Sequence, residues 1–337
     1  MKSRILLVCF TGTIAISSWS CSKIDKGFLS QGIRYKSNII ECKRGMALTL
    51  SDRIDADGST PPYTFTMLNL RNKITGESAP AEFFTDYEVL MFKSGSVFDP
   101  SKDTTVELLN KKRELVNTTP MVFNETSGQI AFNRASANLT LGEYVFDVEM
   151  SNSWGKRLFK DFAQINVVDP LITDMFQVTY QAATGSTAAE VFTTINAPQL
   201  SCTKISNEGA RVILKIVDKN GNPWNPRAGE VIRRGDRPTF ESHVKFNPVI
   251  ETDTALICDF EVAPFPLTNL VGDDGTDWAF LIYYRIPMQF AQIDGVPSNN
   301  VNPVFGFRVL MEGTYVVQVK LPDVTRISGA TQSPGTT

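Results

Sequence analysis

Few residues of this chain have the types and spacing that catalysis at neutral pH uses. It contains a single histidine, His243. Histidine is the commonest metal ligand and the usual proton shuttle near neutrality. One copy therefore excludes His-pair metal sites and leaves any Ser-His-Asp arrangement resting on one position. In Glu241-Ser242-His243-Val244-Lys245-Phe246 the apolar Val244 and Phe246 alternate against His243. That pattern predicts a strand with the imidazole on its solvent side. Paired carboxylates would serve glycoside hydrolysis, one as acid and one as nucleophile or base. The pair in the most apolar setting is Asp259 and Glu261, but the alternation of Leu256, Cys258, Phe260 and Val262 turns both acids to water, where burial cannot tune them. The sequence has no nucleophile elbow, P-loop or dinucleotide fingerprint. The expectation is a protein that is not an enzyme.

Oxygen-rich loops offer a second chemistry. Asp55 and Asp57 cluster with Asp52 and Ser59; Asp218 and Asn220 recur with Asn222; Asp273 and Asp277 flank Asp274 and Gly275. Oxygen ligands at alternate positions of a glycine-kinked loop suit Ca²⁺, yet none of the three ends in the bidentate Glu of an EF-hand. Asp-Gly and Asn-Gly are also preferred turn dipeptides. The three loops are read as plain turns with no cofactor, and calcium is the alternative.

Tryptophans offer a third. A flat apolar face with a polar edge can stack on a sugar ring. Trp224 sits in Asn222-Pro223-Trp224-Asn225-Pro226 and Trp154 in Ser151-Asn152-Ser153-Trp154-Gly155, one a loop and the other a hairpin tip. Both are expected to be exposed, and with Trp278 they are the candidate ligand contacts. The alternative is that each pins its loop onto its own domain.

These residues need a scaffold, and its pattern is β. The 337 residues suggest two domains at about 150 residues each. A hydrophobic content of 42% with 20% charged residues is that of a folded chain, and a net charge of −3 offers no broad field for nucleic acid. Gly142 to Met150 alternates Tyr, Phe, Val and Met against Asp and Glu. A turn and a strand through 163–167 complete a hairpin. Earlier strands are predicted near 33–41, 45–52, 63–70, 87–92 and 128–134. Later ones fall at 212–217, 241–246, 255–262, 278–286, 304–310 and 315–321, and the run from Trp278 to Ile286, apolar on both faces, reads as a central strand. One helical insert is expected where Thr104 and Glu107 have capping-box spacing before Leu108 to Leu115. Asp169-Pro170 breaks the strand pattern. The fold class is all-β, as two tandem sandwiches with one short helical insert. The first spans 33–169 and the second 170–326, and residues 327–337 form a solvated tail.

Inward-facing Cys202 and Cys258, 56 residues apart, resemble the inter-sheet disulfide spacing of immunoglobulin-like domains. No tryptophan lies on a strand between them, and Cys42 is left over, which suits free thiols. Both readings stay open.

The N-terminus carries an address. Met1-Lys2-Ser3-Arg4 is a basic start and Ile5 to Ile16 an apolar core, the organisation of a secretory signal too short to span a bilayer. Ser18-Trp19-Ser20-Cys21 resembles the lipobox of Bacteroidota lipoproteins, which implies cleavage after residue 20, a lipid on Cys21 and a tether over 21–32. Lys23 and Asp25 resemble the charged surface-export signal of such proteins. The segments Gly27-Phe28-Leu29-Ser30, Leu50-Ser51-Asp52, Asp57 to Pro62, Leu68 to Gly76 and the Glu143–Trp154 hairpin resemble a Bacteroidota lipoprotein family with a domain of unknown function, found near polysaccharide-uptake systems. Asp103-Thr104-Thr105 and Asp253-Thr254-Ala255 resemble the O-glycosylation signal of that phylum. The resemblance implies an outer-membrane lipoprotein, on the periplasmic or outer face, that binds or helps deliver a glycan. A structural, fimbria-like component that assembles with other envelope proteins is the alternative, and a glycoside hydrolase the third.

Overall fold

The computed structural model describes residues 27–296 and 298–327. The expected signal peptide, Cys21, the first part of the tether and residues 328–337 lie outside the described residues. Among the described residues no helix is long and apolar enough to cross a membrane.

The chain is an all-β sandwich-type fold. In the first half Ile39–Lys43, Gly155–Val168, Gly142–Asn152 and Tyr63–Asn72 form a four-stranded sheet in that order. Leu48–Leu50, Ile130–Asn133 and Met121–Phe123 form a second, three-stranded sheet. The opening strand runs parallel to the closing one, and the other pairings are antiparallel. This is the strand grouping of an immunoglobulin-like sandwich, except that the first strand pairs with the last. Strand alternation sets which side chains meet between the sheets. Tyr144, Phe146, Val148 and Met150 are buried on one strand and Ile165 and Val167 on its neighbour, against Phe132, Ile130 and Phe65. A one-residue slip would turn all of them to water.

The second half pairs two five-stranded sheets. One runs Phe192–Ile195, Phe176–Ser186, Asn300–Val309, Leu281–Arg285, Ile232–Arg233. The other runs Gln199–Ser206, Gly313–Lys320, Ala210–Val217, Leu256–Asp259, Ile250–Glu251. Between them lie Phe305, Phe307 and Val309 from one side and Val212, Leu214, Tyr315, Val317 and Val319 from the other. The buried apolar residues thus fall into two clusters, Leu29 to Val167 and Met175 to Val324.

A short motif recurs in both halves. Gly142-Glu143-Tyr144-Val145 and Gly313-Thr314-Tyr315-Val316 each open a strand on a glycine of positive φ, +153° and +137°. Each tyrosine hydroxyl donates back to an upstream carbonyl, Tyr144 to Thr140 and Tyr315 to Glu312, both at 3.1 Å. That is the tyrosine corner of sandwich folds, present twice.

Several expectations are corrected. The 45–52 strand shrinks to Leu48–Leu50. The helix is Val106–Lys111, capped by Thr105, not Thr104, whose hydroxyl oxygen accepts from the Leu108 N–H at 3.3 Å. Arg113–Thr118 is a strand paired with Tyr87–Phe92, so tertiary pairing overrides the helical propensity of Arg113 to Leu115. Residues 241–243 form a 3₁₀ turn, not a strand. Cys202 and Cys258 both face the core, but from the same sheet, three strand positions apart. At about 4.8 Å per step that is roughly 14 Å, twice the reach of a disulfide. Both are free thiols, as is Cys42, and burial pushes Cys202 and Cys258 up to about 12.

One buried carboxylate holds a double irregularity. The Gly142–Asn152 strand meets a bulge on each side near Asp147, with Asn69 and Asp161 at positive φ. Asp147 is buried and accepts from the Asp161 N–H at 2.9 Å, the Asn69 amide at 2.9 Å and Arg71 at 3.0 Å. Burial raises its carboxyl, but these donors outweigh it and hold it below the ordinary carboxylate range. A depressed group stabilises the fold above the unfolded pKa of about 4 and stops doing so as pH falls through the folded value. Thermal melts of the wild type are therefore expected to lose stability below about pH 4. Asp147→Asn should cost about 1–3 kcal/mol at neutral pH and show a shallower acid slope. Equal acid slopes for the two proteins would contradict the assignment.

Candidate functional site

The outward face of the five-stranded sheet through Asn300–Val309 gathers aromatic, basic and amide side chains. Because Phe305, Phe307 and Val309 point into the core, alternation turns Asn302, Val304, Gly306 and Arg308 to the opposite face. Register extends that face across neighbouring strands. Tyr283 lies opposite Val304 and Leu281 opposite Gly306. Tyr180, Ala182 and Thr184 lie opposite Gly306, Val304 and Asn302. Phe192 pairs with Ser186 and Ile232 with Arg285.

The predicted central strand from Trp278 to Ile286 is broken to build this face. Asp277–Ala279 pairs with Leu270–Val271, and Leu281–Arg285 joins the large sheet. Ala279 turns through φ +50°, held by the Asp277 carboxylate accepting its N–H at 2.8 Å. The chain at Phe280 then settles onto Gly306, where any Cβ would stand 2.9 Å from the Phe280 carbonyl oxygen. The turn carries Trp278 to the edge of Tyr283, with ring centroids 5.7 Å apart and an interplanar angle of 84°.

Arginines lie over the aromatic rings. Arg237 sits 5.1 Å from the Tyr283 ring centroid and 5.9 Å from that of Trp278. Arg234 lies 5.1 Å above half-exposed Phe192, and Arg308 4.9 Å above Phe280. The loop that presents Arg234 and Arg237 is tied by Arg233, whose guanidinium donates to the carbonyls of Arg237 and Asp236. The floor is a buried polar network. Asn302, fully buried, donates to Ser186 Oγ at 3.0 Å and accepts from Arg285 Nε at 2.8 Å. Arg285 pairs with Glu190. The Thr184 hydroxyl is buried there without a partner. The Arg234 guanidinium is pulled below its ordinary value, first by burial and then by Arg237 and Arg285, against the opposing charge of Glu190. Flat rings, guanidinium groups beside them and amides and hydroxyls at the floor can together stack on a ring and hydrogen-bond its substituents.

Of the three tryptophans expected to contact ligand, only Trp278 lies on this face. Trp224 is a correction. It is 1% exposed and its indole N–H donates to the Phe290 carbonyl at 2.9 Å, so it pins the loop. Trp154 is at the hairpin tip, 55% exposed, and one side of its indole rests on Gly27. His243 is also a correction. It is buried, its Nε2 lies 2.9 Å from the Leu281 carbonyl, and burial pushes its pKa below the ordinary imidazole value. It lines a pocket of about 230 Å³ with Phe98, Phe246 and Phe265.

The oxygen-rich loops use their carboxylates as turn braces. Asp55 accepts the Asp57 N–H at 3.0 Å, and Asp57 accepts the Ser30 hydroxyl at 2.5 Å; both face Arg34. Asp218 is buried and accepts backbone N–H groups of Asn220, Asn222 and Arg326 at 2.8–3.0 Å. Asp274 accepts the Thr276 N–H and hydroxyl, and Asp273 is exposed. Among the described residues no group of three or more His, Cys, Asp and Glu side chains is disposed to hold a metal ion. Asp259 is paired with Arg211 at 2.5 and 2.9 Å, and Glu261 accepts from Asn247 at 3.0 Å.

Sequence reasoning missed Phe192, Tyr283 and the arginines. The signal was present in Arg233-Arg234-Gly235-Asp236-Arg237, a basic run in an acidic chain.

No protein-family profile matches the chain, and no curated protein does. A solved structure is similar: a SusE-like surface-located polysaccharide-binding protein from the heparin utilisation locus of Bacteroides thetaiotaomicron. The similarity covers 86% of this chain at 8% identity and a TM-score of 0.21. The chain spans about half of that protein's length, 53%. The case for a binding face stands on the geometry above.

Trp224 and Trp278 should behave differently on truncation. Trp224→Ala empties a buried site and is expected to lower unfolding free energy by about 3–5 kcal/mol in chemical denaturation. A loss under about 1 kcal/mol would contradict its role as a loop pin.

Proposed function

We propose that this protein is a non-catalytic glycan-binding accessory protein of the cell envelope, held at the outer membrane by a lipid on Cys21. The observation that carries the reading is the arginine-capped aromatic face around Trp278, Tyr283 and Phe192. A sugar ring has an apolar face and a polar rim. Exposed aromatic surface such as Phe192 and Tyr180 suits the first, and guanidinium edges suit the second. Trp278 stands at the margin, where a chain of several sugars would cross.

The carboxylates argue for binding over turnover. A glycosidase needs one acid held protonated by a raised pKa. Among the described residues every Asp or Glu whose pKa is displaced is displaced downward by hydrogen bonds or cations, Asp147, Asp218, Asp259 and Glu190 among them. Such groups accept hydrogen bonds and do not donate protons at neutral pH.

Affinity electrophoresis against a panel of neutral and acidic polysaccharides tests the reading. At least one polysaccharide is expected to retard the protein, and Trp278→Ala to weaken that binding by about tenfold, the equivalent of roughly 1.4 kcal/mol of ring contact. Trp154→Ala should leave it unchanged. A panel with no retardation contradicts the proposal. For the anchor, labelled palmitate is expected to enter the wild-type protein and not Cys21→Ser, which should leave the membrane fraction. Equal labelling of both would exclude Cys21 as the lipid site.

A further inference from the structure

We propose that the ligand of this face is an acidic glycan, whose carboxylate or sulfate groups are received by Arg234 and Arg237 while its sugar rings lie along the neighbouring aromatics. The inference rests on the glycan-binding reading above and adds the charge class of the ligand.

The first observation is where the unpaired arginines are. Six arginines have no carboxylate within ion-pair distance among the described residues: Arg53, Arg157, Arg233, Arg234, Arg237 and Arg308. Four of these belong to one sheet face or the loop at its edge. Away from this face only Arg53 and Arg157 lack a carboxylate partner among the described residues, in a chain with 36 acidic residues against 33 basic ones. Glu190 is the carboxylate that reaches into the group, and it is taken by Arg285. Other acids lie nearby but are directed elsewhere. Asp274 and Asp277 brace their own turn, and Asp236 is exposed with no ion pair among the described residues.

The second observation is how the guanidiniums are held. Arg234 lies over Phe192, and Arg237 over Tyr283 and Trp278. Neither makes a side-chain hydrogen bond within the described residues. The rings hold the guanidinium groups within 5.1–5.9 Å of their centroids, while no side-chain hydrogen bond uses the N–H donors. A planar fork with unused donors matches the paired oxygens of a carboxylate or sulfate, and a fork already held in place loses less entropy on binding. Like charges gathered at Arg234, Arg237 and Arg285 repel one another, and this repulsion adds to burial in lowering Arg234. An incoming anion relieves that repulsion, whereas a neutral sugar does not.

The test is affinity electrophoresis with dextran as the neutral probe, dextran sulfate as the sulfate probe and polygalacturonate as the carboxylate probe, at low and high salt. Retardation by dextran sulfate or polygalacturonate, weakened by salt and absent with dextran, is the expected result. Arg234→Gln and Arg237→Gln should each weaken it by roughly tenfold or more, the size of a lost charge-assisted contact. Arg237→Lys, which keeps the charge without the fork, should fall between. Arg53→Gln should bind as wild type, and unchanged near-ultraviolet circular dichroism would show that all variants are folded. Retardation by neutral polysaccharide alone would overturn the charge assignment while leaving glycan binding standing. An equal loss in Arg53→Gln would also overturn it, by showing attraction to charge in general. Failure of every polysaccharide to bind would overturn the glycan-binding reading along with it.

Discussion

Alternation along Asn300–Val309 is the constraint on which the second half of the molecule depends. One set of its side chains, Phe305, Phe307 and Val309, fills the core, each contributing about 1.5–3 kcal/mol of apolar burial. The same geometry forces Asn302, Val304, Gly306 and Arg308 to the other face. In an ordinary sandwich that face would be washed by water. Here the segments around Glu190, Arg234 and Phe280 fold over it, so that Asn302 and Val304 are buried as well. A strand buried on both sides with polar residues on one must satisfy them. Arg285, Ser186 and Asn302 do so for one another, and the site is the rim of that solution.

Gly306 and Ala279 show how the rim is made. A side chain at 306 would block the approach of the Phe280 carbonyl, and without that approach Trp278 would continue along the strand instead of turning beside Tyr283. The left-handed turn at Ala279 is stabilised by the Asp277 carboxylate. The oxygen-rich loop, read in the sequence as a plain turn, thus uses an acidic side chain to brace its backbone. Asp57, Asp147 and Asp218 do similar work elsewhere, each accepting hydrogen bonds at a turn or bulge. Their negative charge is spent locally, which is one reason an acidic chain can carry an uncompensated basic face.

The fold class was legible because period-two alternation is a local property, and Gly142 to Met150 displays it without ambiguity. The tyrosine corners went unread, although each is written in the sequence as a Gly-x-Tyr-Val string. Other features depended on contacts that pattern cannot show. His243 alternates with Val244 and Phe246 as a strand would, yet three residues of 3₁₀ turn bury it. Trp224 sits between prolines, which marks a loop correctly but says nothing of whether the loop is folded inward. Cys202 and Cys258 were correctly read as facing inward, while only the sheet order reveals that they share a sheet. The basic-aromatic face was hardest to see, because Phe192, Arg234 and Arg237, and Trp278 and Tyr283 come from three separate segments. Only the Arg233–Arg237 run left a trace in the sequence.

Ligand is expected to bind on this one sheet face. Hydrogen exchange measured by mass spectrometry with and without a bound acidic oligosaccharide addresses it without any mutation. The account predicts slowed exchange in the segments 187–195, 232–238 and 277–285, with the 142–168 hairpin and the 98–113 segment unchanged. Protection confined to the Trp154 hairpin or to the pocket beside His243, with none at 232–238, would contradict it.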